Sequence, residues 1–422
     1  MKKIISAFVS AVLLGTLASS DVCMASSSVK GDINNDGTFN IADVLLLQKW
    51  LINDADDPQN WKAGNLCDDD MLDSIDLSLM KNMLLTSKTN VIRVTNTDEL
   101  KSAMASAKPG DEIVLAPGEY ISTSSASTVG YQFLGEADGT EDAPIILRSE
   151  DPESPAVLSG STIQKQYALA ITGDWWVLDN IKVTGSSIGI VLDNSNNTKI
   201  LNCEVYGTGQ EAIHIRDGSS YCLVENTNIH DTGLKTPAYG EGIYVGSSKN
   251  ATNYDFSCDY NRIRNCTIGP NVAAEHVDVK EYTTGTIIEN CTFDGKGMSG
   301  ENHADSFVDL KGNDCILRYC TGYRNGETNI NRAFEMNKLV EGWGQNSYIY
   351  GNKVYMDTAV NSLGKKMVIL NSWNCTETVW DNYMAYEDGV LFYTDNEKDK
   401  WNYYNCNGLT YGDSSLEKDL PQ

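Results

Sequence analysis

The sequence predicts an all-β solenoid of stacked parallel strands, preceded by a small all-α unit. Short strand-like segments recur along the second half of the chain at spacings of roughly 22 to 40 residues, which is typical of a solenoid with insertions. Helix-like periodicity is nearly absent there, which excludes α/β barrels and helical bundles. A duplicated acidic loop, followed each time by an apolar stripe of helical period, predicts the α unit between residues 30 and 87.

The first 25 residues have the pattern of a secretory signal peptide. Lys2 and Lys3 precede an apolar run over residues 4–17, and small residues follow it. The run is too short for a membrane span, and no later stretch is apolar enough for one. We therefore expect a protein that is secreted to the extracellular medium and acts as a monomer.

The chain is strongly acidic, with a formal net charge of −26 at pH 7 and an isoelectric point near 4.4. Such a charge argues against binding to nucleic acid or to anionic membranes. It suits calcium binding, and it makes the recognition of an anionic substrate depend on local cations.

Both acidic loops have the spacing of a calcium-binding loop. In such a loop oxygen ligands recur at alternate positions, and a glycine at position 6 allows the sharp turn. Gly37 holds that position in the first loop and Asp70 in the second, where Cys67 also replaces an oxygen ligand. The expected ligands are Asp32, Asn34, Asp36, Thr38, Asn40 and Asp43 in the first loop, and Asn65, Asp69, Asp73 and Asp76 in the second.

The duplicated loop-and-helix unit, with aspartate at the last position of each loop, resembles a dockerin. Dockerins plug extracellular enzymes into cellulosome scaffolds. The resemblance covers residues 30–87 and implies bound Ca²⁺, a cohesin domain of a scaffoldin as partner, and a location in the cellulosome. Residues 88–96 are then expected to form a linker.

The sequence after the linker begins with a helix and a strand. Asn96 is a typical N-cap for a short helix over residues 100–107, which Pro109 and Gly110 end. A buried strand over residues 113–115 follows, and then a Pro-Gly-Glu-Tyr turn. This order resembles the N-terminal cap and first coil of right-handed parallel β-helices. Residues 97–422 are therefore expected to form a right-handed parallel β-helix of the pectate-lyase-like type.

Most predicted coils contain a turn marked by asparagine. Asparagine bonds its own backbone in such turns, so this column is expected to be structural. The predicted column consists of Asn180, Asn202, Asn226, Asn265, Asn290, Asn352 and Asn382, with Tyr319 in one coil. Cysteine follows the turn residue in several coils, which predicts buried free thiols rather than a disulfide framework. These cysteines are Cys203, Cys266, Cys291 and Cys320.

The strands after these turns alternate apolar and polar residues, which predicts one buried and one exposed face. If successive coils are in register, the exposed positions form two columns. The first column is His214, Tyr244, Asp278, Asp309 and Glu335, and the second is Arg216, Gly246, Lys280, Lys311 and Asn337. Stacked carboxylates about 4.8 Å apart repel one another unless a cation lies between them, so this face is predicted to be a functional site.

Carboxylates beside lysines in a shallow groove fit the β-elimination of a uronate polysaccharide. A bound cation neutralises the sugar carboxylate, and a lysine takes the neighbouring proton once nearby positive charge lowers its pKa. Glu275 and Lys280, with the residues that follow them, resemble the calcium-and-base strand of polysaccharide lyase family six, which includes chondroitinase-B-like and alginate lyases. The resemblance implies Glu275 as a calcium ligand, Lys280 as the base, and Lys311 near the family's arginine.

Ala273 stands where that family has a second glutamate, so Asp278 or Glu241 is expected to complete the calcium site. The expected catalytic residues are Lys280, Lys311 and Arg216, the substrate-binding residues His214, Tyr244, His276 and Glu335, and the calcium ligands Glu241, Glu275, Asp278 and Asp309. A cellulosomal enzyme meets plant cell walls, which favours a pectic polymer as substrate.

Two other functions stay open at this stage. Asp278 and Asp309 also suit glycoside hydrolysis, as acid and base or nucleophile. A non-catalytic carbohydrate-binding solenoid is the third hypothesis, with tryptophans as sugar platforms. The tryptophans in question are Trp343, Trp373, Trp380 and Trp401.

Overall fold

The computed structural model describes residues 29–67, 69–86, 90–122, 130–360, 364, 366–386, 391–393 and 403–422. The chain divides into two compact units, one up to residue 88 and one from residue 89 onward. The predicted signal peptide lies outside the described residues, and so does Trp401. Within the described ranges, no helix combines the length and the apolar character that a membrane crossing requires.

The first unit is all-α, as predicted. Its helices are α1 (Ile41–Leu51), α2 (Trp61–Gly64) and α3 (Ser74–Thr86). The side chain of Asn40 caps α1 by accepting a hydrogen bond from a backbone N–H of its first turn. Val44 and Leu47 of α1 pack with Ile33 and Met80 in the core of the unit. Burial of these apolar side chains fixes α1 against α3, and with them the two loops that precede these helices.

The second unit contains the helix α4 (Thr97–Ala105) and a long series of short strands. The first strands are β1 (Asn90–Val94), β2 (Asp111–Leu115), β3 (Glu119–Ile121), β4 (Tyr131–Gly135), β5 (Ile145–Ser149), β6 (Val157–Ser159), β7 (Tyr167–Ile171), β8 (Trp176–Asp179), β9 (Lys182–Thr184), β10 (Ile188–Asp193), β11 (Lys199–Leu201) and β12 (Glu204–Tyr206). The central strands are β13 (Ile213–Arg216), β14 (Leu223–Glu225), β15 (Asn228–His230), β16 (Ile243–Val245), β17 (Arg262–Arg264), β18 (Thr267–Ile268), β19 (Val277–Val279), β20 (Ile287–Glu289), β21 (Thr292–Asp294), β22 (Val308–Leu310), β23 (Ile316–Arg318) and β24 (Thr321–Tyr323). The last strands are β25 (Arg332–Asn337), β26 (Ser347–Tyr350), β27 (Lys353–Tyr355), β28 (Val368–Trp373), β29 (Thr376–Trp380), β30 (Tyr383–Ala385), β31 (Leu391–Tyr393), β32 (Tyr403–Tyr404) and β33 (Gly408–Tyr411).

These strands form three sheets, because most coils of the chain contribute one strand to each sheet. Sheet A has the order β1-β2-β5-β8-β11-β14-β17-β20-β23-β26-β29-β33, sheet B the order β3-β6-β9-β12-β15-β18-β21-β24-β27-β30-β31, and sheet C the order β4-β7-β10-β13-β16-β19-β22-β25-β28-β32. Among the described strands, neighbours within the sheets pair in parallel, except β30 and β31, which are antiparallel. The apolar side chains of all three sheets fill one continuous interior core. The predicted right-handed parallel β-helix is confirmed.

The β-helix begins earlier than the sequence predicted. Residues 90–94, which we expected to belong to the linker, form β1 and pair with β2 along the whole strand. Only Val94 of this strand is buried. A strand with one buried residue needs no alternation of apolar and polar residues, so the sequence pattern did not reveal it. The helix α4 follows where it was expected, with the side chain of Asn96 accepting a hydrogen bond from the backbone N–H of Glu99.

The asparagine turns adopt the left-handed backbone conformation in every coil from Asn180 to Asn290, with φ between 52° and 56°. Tyr319 occupies the same position with a φ of 56°. Asparagine tolerates this conformation better than most residues, because its short side chain bonds the local backbone. The predicted structural role of this column is confirmed.

The last two asparagines of the predicted column, Asn352 and Asn382, do not hold the turn position but lie one residue after it. Gly351 and Asp381 hold the turn position in these coils, with φ of 65° and 51°. Asn352 and Asn382 hold the next position, which is buried. Asn352 Nδ2 donates to the backbone oxygen of Leu317 at 3.0 Å and to Asn382 Oδ1 at 2.9 Å. Buried amides therefore continue the column that cysteines form in the earlier coils.

The ten cysteines of the described residues are free, as predicted. Cys203, Cys266, Cys291 and Cys320 lie just after the turn and are buried. Burial raises the pKa of the Cys203 thiol to about 12 and that of the Cys291 thiol well above the usual value. A hydrogen bond with the Cys291 thiol, and then burial, raise the pKa of the Cys266 thiol well above its usual value. Thiols in this state are poor nucleophiles.

We predict that the native protein reacts slowly with a thiol-alkylating reagent, because most of its thiols are buried and protonated. After unfolding without any reductant, the protein should react at all ten described cysteines, because none of them is in a disulfide. Mass spectrometry of peptides after alkylation identifies the modified positions. Peptides joined by a disulfide in protein prepared without oxidant would contradict the free-thiol column.

Candidate active site

The exposed face of sheet C carries a cleft of about 1070 Å³, a size typical of ligand sites. Side chains from successive coils, between β16 and β32, line it. Its charged lining residues are Glu241, Glu275, Asp278, Lys280, Asp305, Asp309, Lys311, Arg332, Glu335 and Lys366. Because these groups lie in or within three residues of sheet C strands on successive coils, the cleft follows the axis of the β-helix.

The predicted register of sheet C is confirmed. Residues that pair on successive coils are, in order, His214, Tyr244, Asp278, Asp309 and Glu335. The same column continues with Asn371 and Tyr404. The apolar residues on either side of it, such as Val277 and Val279, face the core. Period-2 alternation therefore places the polar column on the outer face of the sheet, as the sequence indicated, although His214, Asp278, Asp309 and Glu335 are buried there rather than exposed.

Asp278 contacts both lysines of the second column. Its Oδ2 accepts a hydrogen bond from Lys280 Nζ at 3.0 Å, and its Oδ1 accepts one from Lys311 Nζ at 2.6 Å. Lys311 Nζ also lies 2.6 Å from Asp309 Oδ2. Burial disfavours the charged form of Asp278, but the two lysines outweigh it and lower the pKa of this carboxyl. Burial also opposes the charge of Lys311, yet the two aspartates raise its pKa well above the usual value. Lys311 is thus a fixed cation.

A cluster of buried carboxylates suits a divalent cation. Glu241, Glu275 and Asp278 each offer an oxygen, and these atoms lie within 4.8 Å of one another. Oε2 of Glu241 has no hydrogen-bond partner among the described residues. Burial raises the pKa of Glu241 and Glu275 well above the usual value, and neighbouring carboxylates raise it further. Desolvation, mutual repulsion and an unpartnered oxygen are all relieved by a hard cation such as Ca²⁺.

Asp309, the fourth predicted calcium ligand, lies outside this cluster. Its Oδ2 is bound to Lys311, and its Oδ1 is unpartnered within the described ranges. Burial raises the pKa of Asp309 to about 6. Asp309 is not one of the three residues whose ligand atoms converge, and its contact with Lys311 gives it the task of holding that lysine.

Lys280 and Tyr244 lie side by side at the cleft. Nζ of Lys280 is 4.9 Å from the centre of the Tyr244 ring, and 13% of the lysine side chain is exposed. Burial raises the pKa of Tyr244, and the charges of Asp278 and Glu241 raise it further. The phenol therefore keeps its proton at neutral pH and can act as a donor.

Arg216, predicted to be catalytic, is not among the described residues that line the cleft. It pairs in register with Asp193 on the preceding coil, and its guanidinium binds that carboxylate at 2.5 and 3.0 Å. The rings of Tyr167 and Tyr254 are centred 5.1 and 4.8 Å from the guanidinium carbon. The predicted position of Arg216 at the cleft was wrong because the second column is not continuous. Gly246 lies between Arg216 and Lys280 in this column, and it has no side chain to bridge the two coils.

Two predicted substrate-binding histidines are buried away from the cleft. His276 is in the interior, 5.7 and 5.4 Å from the rings of Phe293 and Phe307, because the bend just before β19 turns it inward. His214 contacts a backbone carbonyl oxygen at 3.0 Å and packs edge-on against Tyr244 at 4.5 Å. Burial lowers the pKa of His214 to about 3 and that of His276 to about 4, so both rings are neutral at pH 7. Their roles are to support the fold and the tyrosine.

Glu335 lines the cleft, as predicted, and binds an arginine that the sequence reasoning missed. Nη1 of Arg332 lies 2.6 Å from Glu335 Oε2, and Nη2 lies 2.8 Å from Asp305 Oδ2. Arg332 begins β25, outside the two columns that the pattern defined. No sequence period marks this position, because Arg332 lies at the start of the strand and its side chain meets the cleft only once the coils are stacked.

A strained turn also borders the cleft. Asn302 and His303 lie in the 3₁₀ segment Glu301–His303, with φ of 52° and 68°. Asn302 Nδ2 donates to the backbone oxygen of Ala238 at 3.2 Å, which ties this turn to the 3₁₀ segment Pro237–Tyr239. Backbone strain of this kind is common at ligand sites.

The predicted ligands of the first acidic loop of the all-α unit hold that loop together by hydrogen bonds. Asp43 Oδ1 accepts the backbone N–H groups of Ile33 and Asn34 at 3.0 and 3.1 Å, and Asp32 Oδ2 accepts that of Gly37 at 2.9 Å. The neighbouring polar side chains Asn34, Asp36, Thr38 and Asn40 are joined by hydrogen bonds within the loop. The loop is therefore folded tightly around its acidic residues.

The second loop repeats this arrangement. Asp76 accepts the backbone N–H groups of Leu66, Cys67 and Asp73 at 2.7, 3.2 and 3.0 Å. Cys67, Asp69 and Asp76 place ligand atoms within 4.8 Å of one another. Asp70 adopts a φ of 60° where the first loop has glycine. Asn65 lies 3.9 Å from the sulfur of the cysteine, so the sulfur occupies space near the converging oxygens.

Comparison with known proteins agrees with this geometry. The family described as "Right handed beta helix region" matches residues 167–372, and that described as "Pel9A-like, right handed beta helix region" matches residues 87–243. The chain is similar to the crystal structure of an alginate lyase from Paenibacillus sp. str. FPU-7, with 40% sequence identity and a TM-score of 0.68. The match covers 76% of this chain and 100% of the alginate lyase chain. The chain belongs to the right-handed β-helix polysaccharide lyases.

Two further similarities are to pectate lyases. Pectate lyase L from Dickeya chrysanthemi is 29% identical over 135 residues, which is 31% of this chain and 31% of that protein. The match therefore spans less than a third of that relative. The crystal structure of pectate lyase Pel9A is 16% identical, with a TM-score of 0.50, over 79% of this chain and 84% of that chain. At that identity the likeness shows a shared fold.

We predict that calcium titration of this polysaccharide lyase finds one site fewer in the Glu241→Gln, Glu275→Gln double variant than in the wild type. Removing two of three converging carboxylates should abolish the site, and isothermal calorimetry measures the stoichiometry. Glu377→Gln is the matched control, because Glu377 is also buried with an unpartnered oxygen but lies outside the cluster and the cleft lining. Equal stoichiometry in the wild type and the double variant would refute the cation site.

Proposed function

We propose that the protein cleaves a uronate polysaccharide by β-elimination, with Lys280 as the base and Tyr244 as the acid. The observation that supports this most strongly is the position of Lys280 Nζ, 4.9 Å from the Tyr244 ring at the cleft. The fixed cation Lys311 shares Asp278 with Lys280. An amine that takes a proton and a phenol that gives one thus border the same space as a positive charge.

In the proposed reaction, Nζ of Lys280 takes the proton from the sugar carbon next to the carboxylate. The glycosidic C–O bond at the adjacent carbon breaks, and a C=C bond forms between the two carbons. The departing oxygen takes the phenolic proton of Tyr244. Transfer of a proton from Lys280 to the phenolate through solvent restores both groups.

The sugar proton is acidic only when the neighbouring carboxylate is neutralised. Lys311 supplies one positive charge, which its two aspartates hold in place. The described residues that line the cleft include six carboxylates against four cations, so an anionic substrate needs further positive charge. Glu241, Glu275 and Asp278 would hold Ca²⁺, which supplies this charge to the substrate carboxylate when bound.

Hydrolysis, the second function considered from the sequence, needs two carboxyl groups that are free to act as acid and base. Asp278 and Asp309 are both bound to Lys311 Nζ, each at 2.6 Å. Both oxygens of Asp278 are bound to lysines, Oδ2 to Lys280 and Oδ1 to Lys311, so this carboxylate is not free to activate a water or attack a sugar, and the geometry favours elimination.

We propose alginate as the first substrate to test. The alginate lyase from Paenibacillus sp. str. FPU-7 is 40% identical to this chain and is covered over its whole length. The similarity to pectate lyase L covers 31% of each chain and makes a pectic polymer the second candidate. The pectic substrate expected from the sequence rests on the dockerin resemblance, which concerns where the enzyme works rather than the shape of its cleft.

We further propose that the all-α unit is a dockerin that binds Ca²⁺ and a scaffoldin cohesin, and that the protein is secreted into the cellulosome. The two loops with buried aspartates, each followed by a helix, support this. The helices also carry exposed apolar side chains, with Ile41 and Leu45 of α1 both 47% exposed and Ile75 of α3 54% exposed. Apolar residues in these positions suit a protein partner.

We predict that Lys280→Ala lowers kcat on the uronate substrate by about 10²- to 10⁴-fold, the usual contribution of a positioned base. The assay follows the ultraviolet absorbance of the new C=C bond on alginate and polygalacturonate with added Ca²⁺. Lys199→Ala, which changes an exposed lysine of β11 in sheet A, is the matched control. An unchanged rate in the Lys280 variant, or products without the double bond, would contradict the proposal.

We predict that the full-length protein binds a panel of cohesins only in the presence of Ca²⁺ and that Asp32→Ala lowers this affinity at least tenfold. Asp32 is 2% exposed and organises the first loop, so its loss should unfold the binding surface. Asp56→Ala, an exposed aspartate of the same unit, is the control. Surface plasmon resonance with and without chelator measures the affinity, and binding that ignores the chelator would refute the calcium-loop assignment.

A further inference from the structure

The cleft extends beyond the catalytic groups toward the C-terminal end of the β-helix. There, among the charged residues Arg332, Glu335 and Lys366, its lining includes the uncharged side chains of Asn337, Asn371, Trp373 and Tyr404, on the coils of β25, β28 and β32. Groups of this kind do no acid–base chemistry at neutral pH. They are suited to hydrogen bonds with sugar hydroxyls and to contact with the apolar faces of sugar rings.

Trp373 is the largest side chain of this end of the cleft, and it is 50% exposed. It pairs in register with Asn337, which lies one residue beyond the Leu310–Met336 pair. Trp373 is therefore in the same column as the two lysines and two coils from Lys311, at a backbone distance of about 10 Å. The spacing between successive coils is close to the length of one sugar residue in an extended glycan. A glycan that lies along the cleft therefore reaches the tryptophan.

The backbone of Trp373 is held rigidly. It ends β28, which pairs with β25 and β32, and it forms a further bridge with Cys406. Its carbonyl oxygen accepts the backbone N–H of Lys338 at 3.1 Å. A half-exposed indole on a fixed strand keeps the contact area that a binding platform needs and loses little conformational entropy on binding.

The polar neighbour of the tryptophan is also fixed. Asn371 Nδ2 donates to Glu335 Oε1 at 3.2 Å, and Asn371 Oδ1 accepts a hydrogen bond from Asn405 Nδ2 at 3.1 Å. Tyr404, which pairs in register with Asn371, is 54% exposed. An aromatic face, a held amide and an exposed phenol thus occur together in one part of the cleft.

We propose that Trp373 is the stacking platform for a sugar ring of the bound glycan, three coils from the base Lys280. This inference rests on the proposed lyase function and adds to it a binding subsite remote from the chemistry. The subsite makes catalysis depend on substrate length, because only a chain long enough to reach Trp373 gains the stacking contact.

The test compares kcat and KM of the wild type, Trp373→Ala and Trp373→Phe on a size series of uronate oligosaccharides and on the polymer. For long substrates the alanine variant should lose about tenfold in kcat/KM, mainly through a higher KM, and the phenylalanine variant should recover part of this loss. The shortest cleaved substrates should show no difference. Tyr221→Ala, an aromatic residue that is 59% exposed and outside the cleft lining, is the control and should match the wild type on all lengths.

Equal kinetics of the wild type and Trp373→Ala on every length would overturn the subsite while leaving the lyase function intact. A loss that is the same for short and long substrates would also overturn it, since it would reflect a general structural effect. Absence of unsaturated product from the wild type across the whole panel would instead overturn the proposed function on which the subsite rests.

Discussion

Parallel hydrogen bonding between successive coils holds residues of equal register about 4.8 Å apart, and the candidate site depends on this repeat. It brings Asp278 beside Asp309, although a whole coil separates them in the chain. The same repeat forces like charges together, which is unfavourable unless cations lie between them. The ammonium group of Lys311 offsets the repulsion between the two aspartates. The carboxylates of Glu241 and Glu275 have no such cation, and a divalent ion would offset their repulsion.

The position of the buried Lys311 is better explained by a role in catalysis than by a contribution to stability. A buried ion pair adds little over apolar residues of equal size, whereas losing one partner costs about 3–5 kcal/mol because a buried charge is left alone. Lys311 is 6% exposed and is held from two sides, so its charge does not reorganise when a substrate carboxylate arrives. Fixed charge of this kind is what stabilises a developing negative charge most effectively.

The sheet register was predictable because each strand of sheet C alternates apolar and polar residues and follows a recognisable turn. The errors arise where that regularity stops. Gly246 interrupts the column, so Arg216 pairs backward with Asp193. The bend before β19 turns His276 into the core. Arg332 was not found because strand ends and loops have no period, and their side chains meet only once the coils are stacked.

The crystal structure of the Lys280→Ala variant with Ca²⁺ and a uronate oligosaccharide tests the central claim most directly. The account predicts a uronate ring beside residues 244 and 280, its carboxylate directed at Lys311 and at a cation held by Glu241, Glu275 and Asp278. The carbon that loses its proton should face the truncated side chain. A glycan bound on another face of the β-helix, or one whose carboxylate points away from both cations, would contradict it.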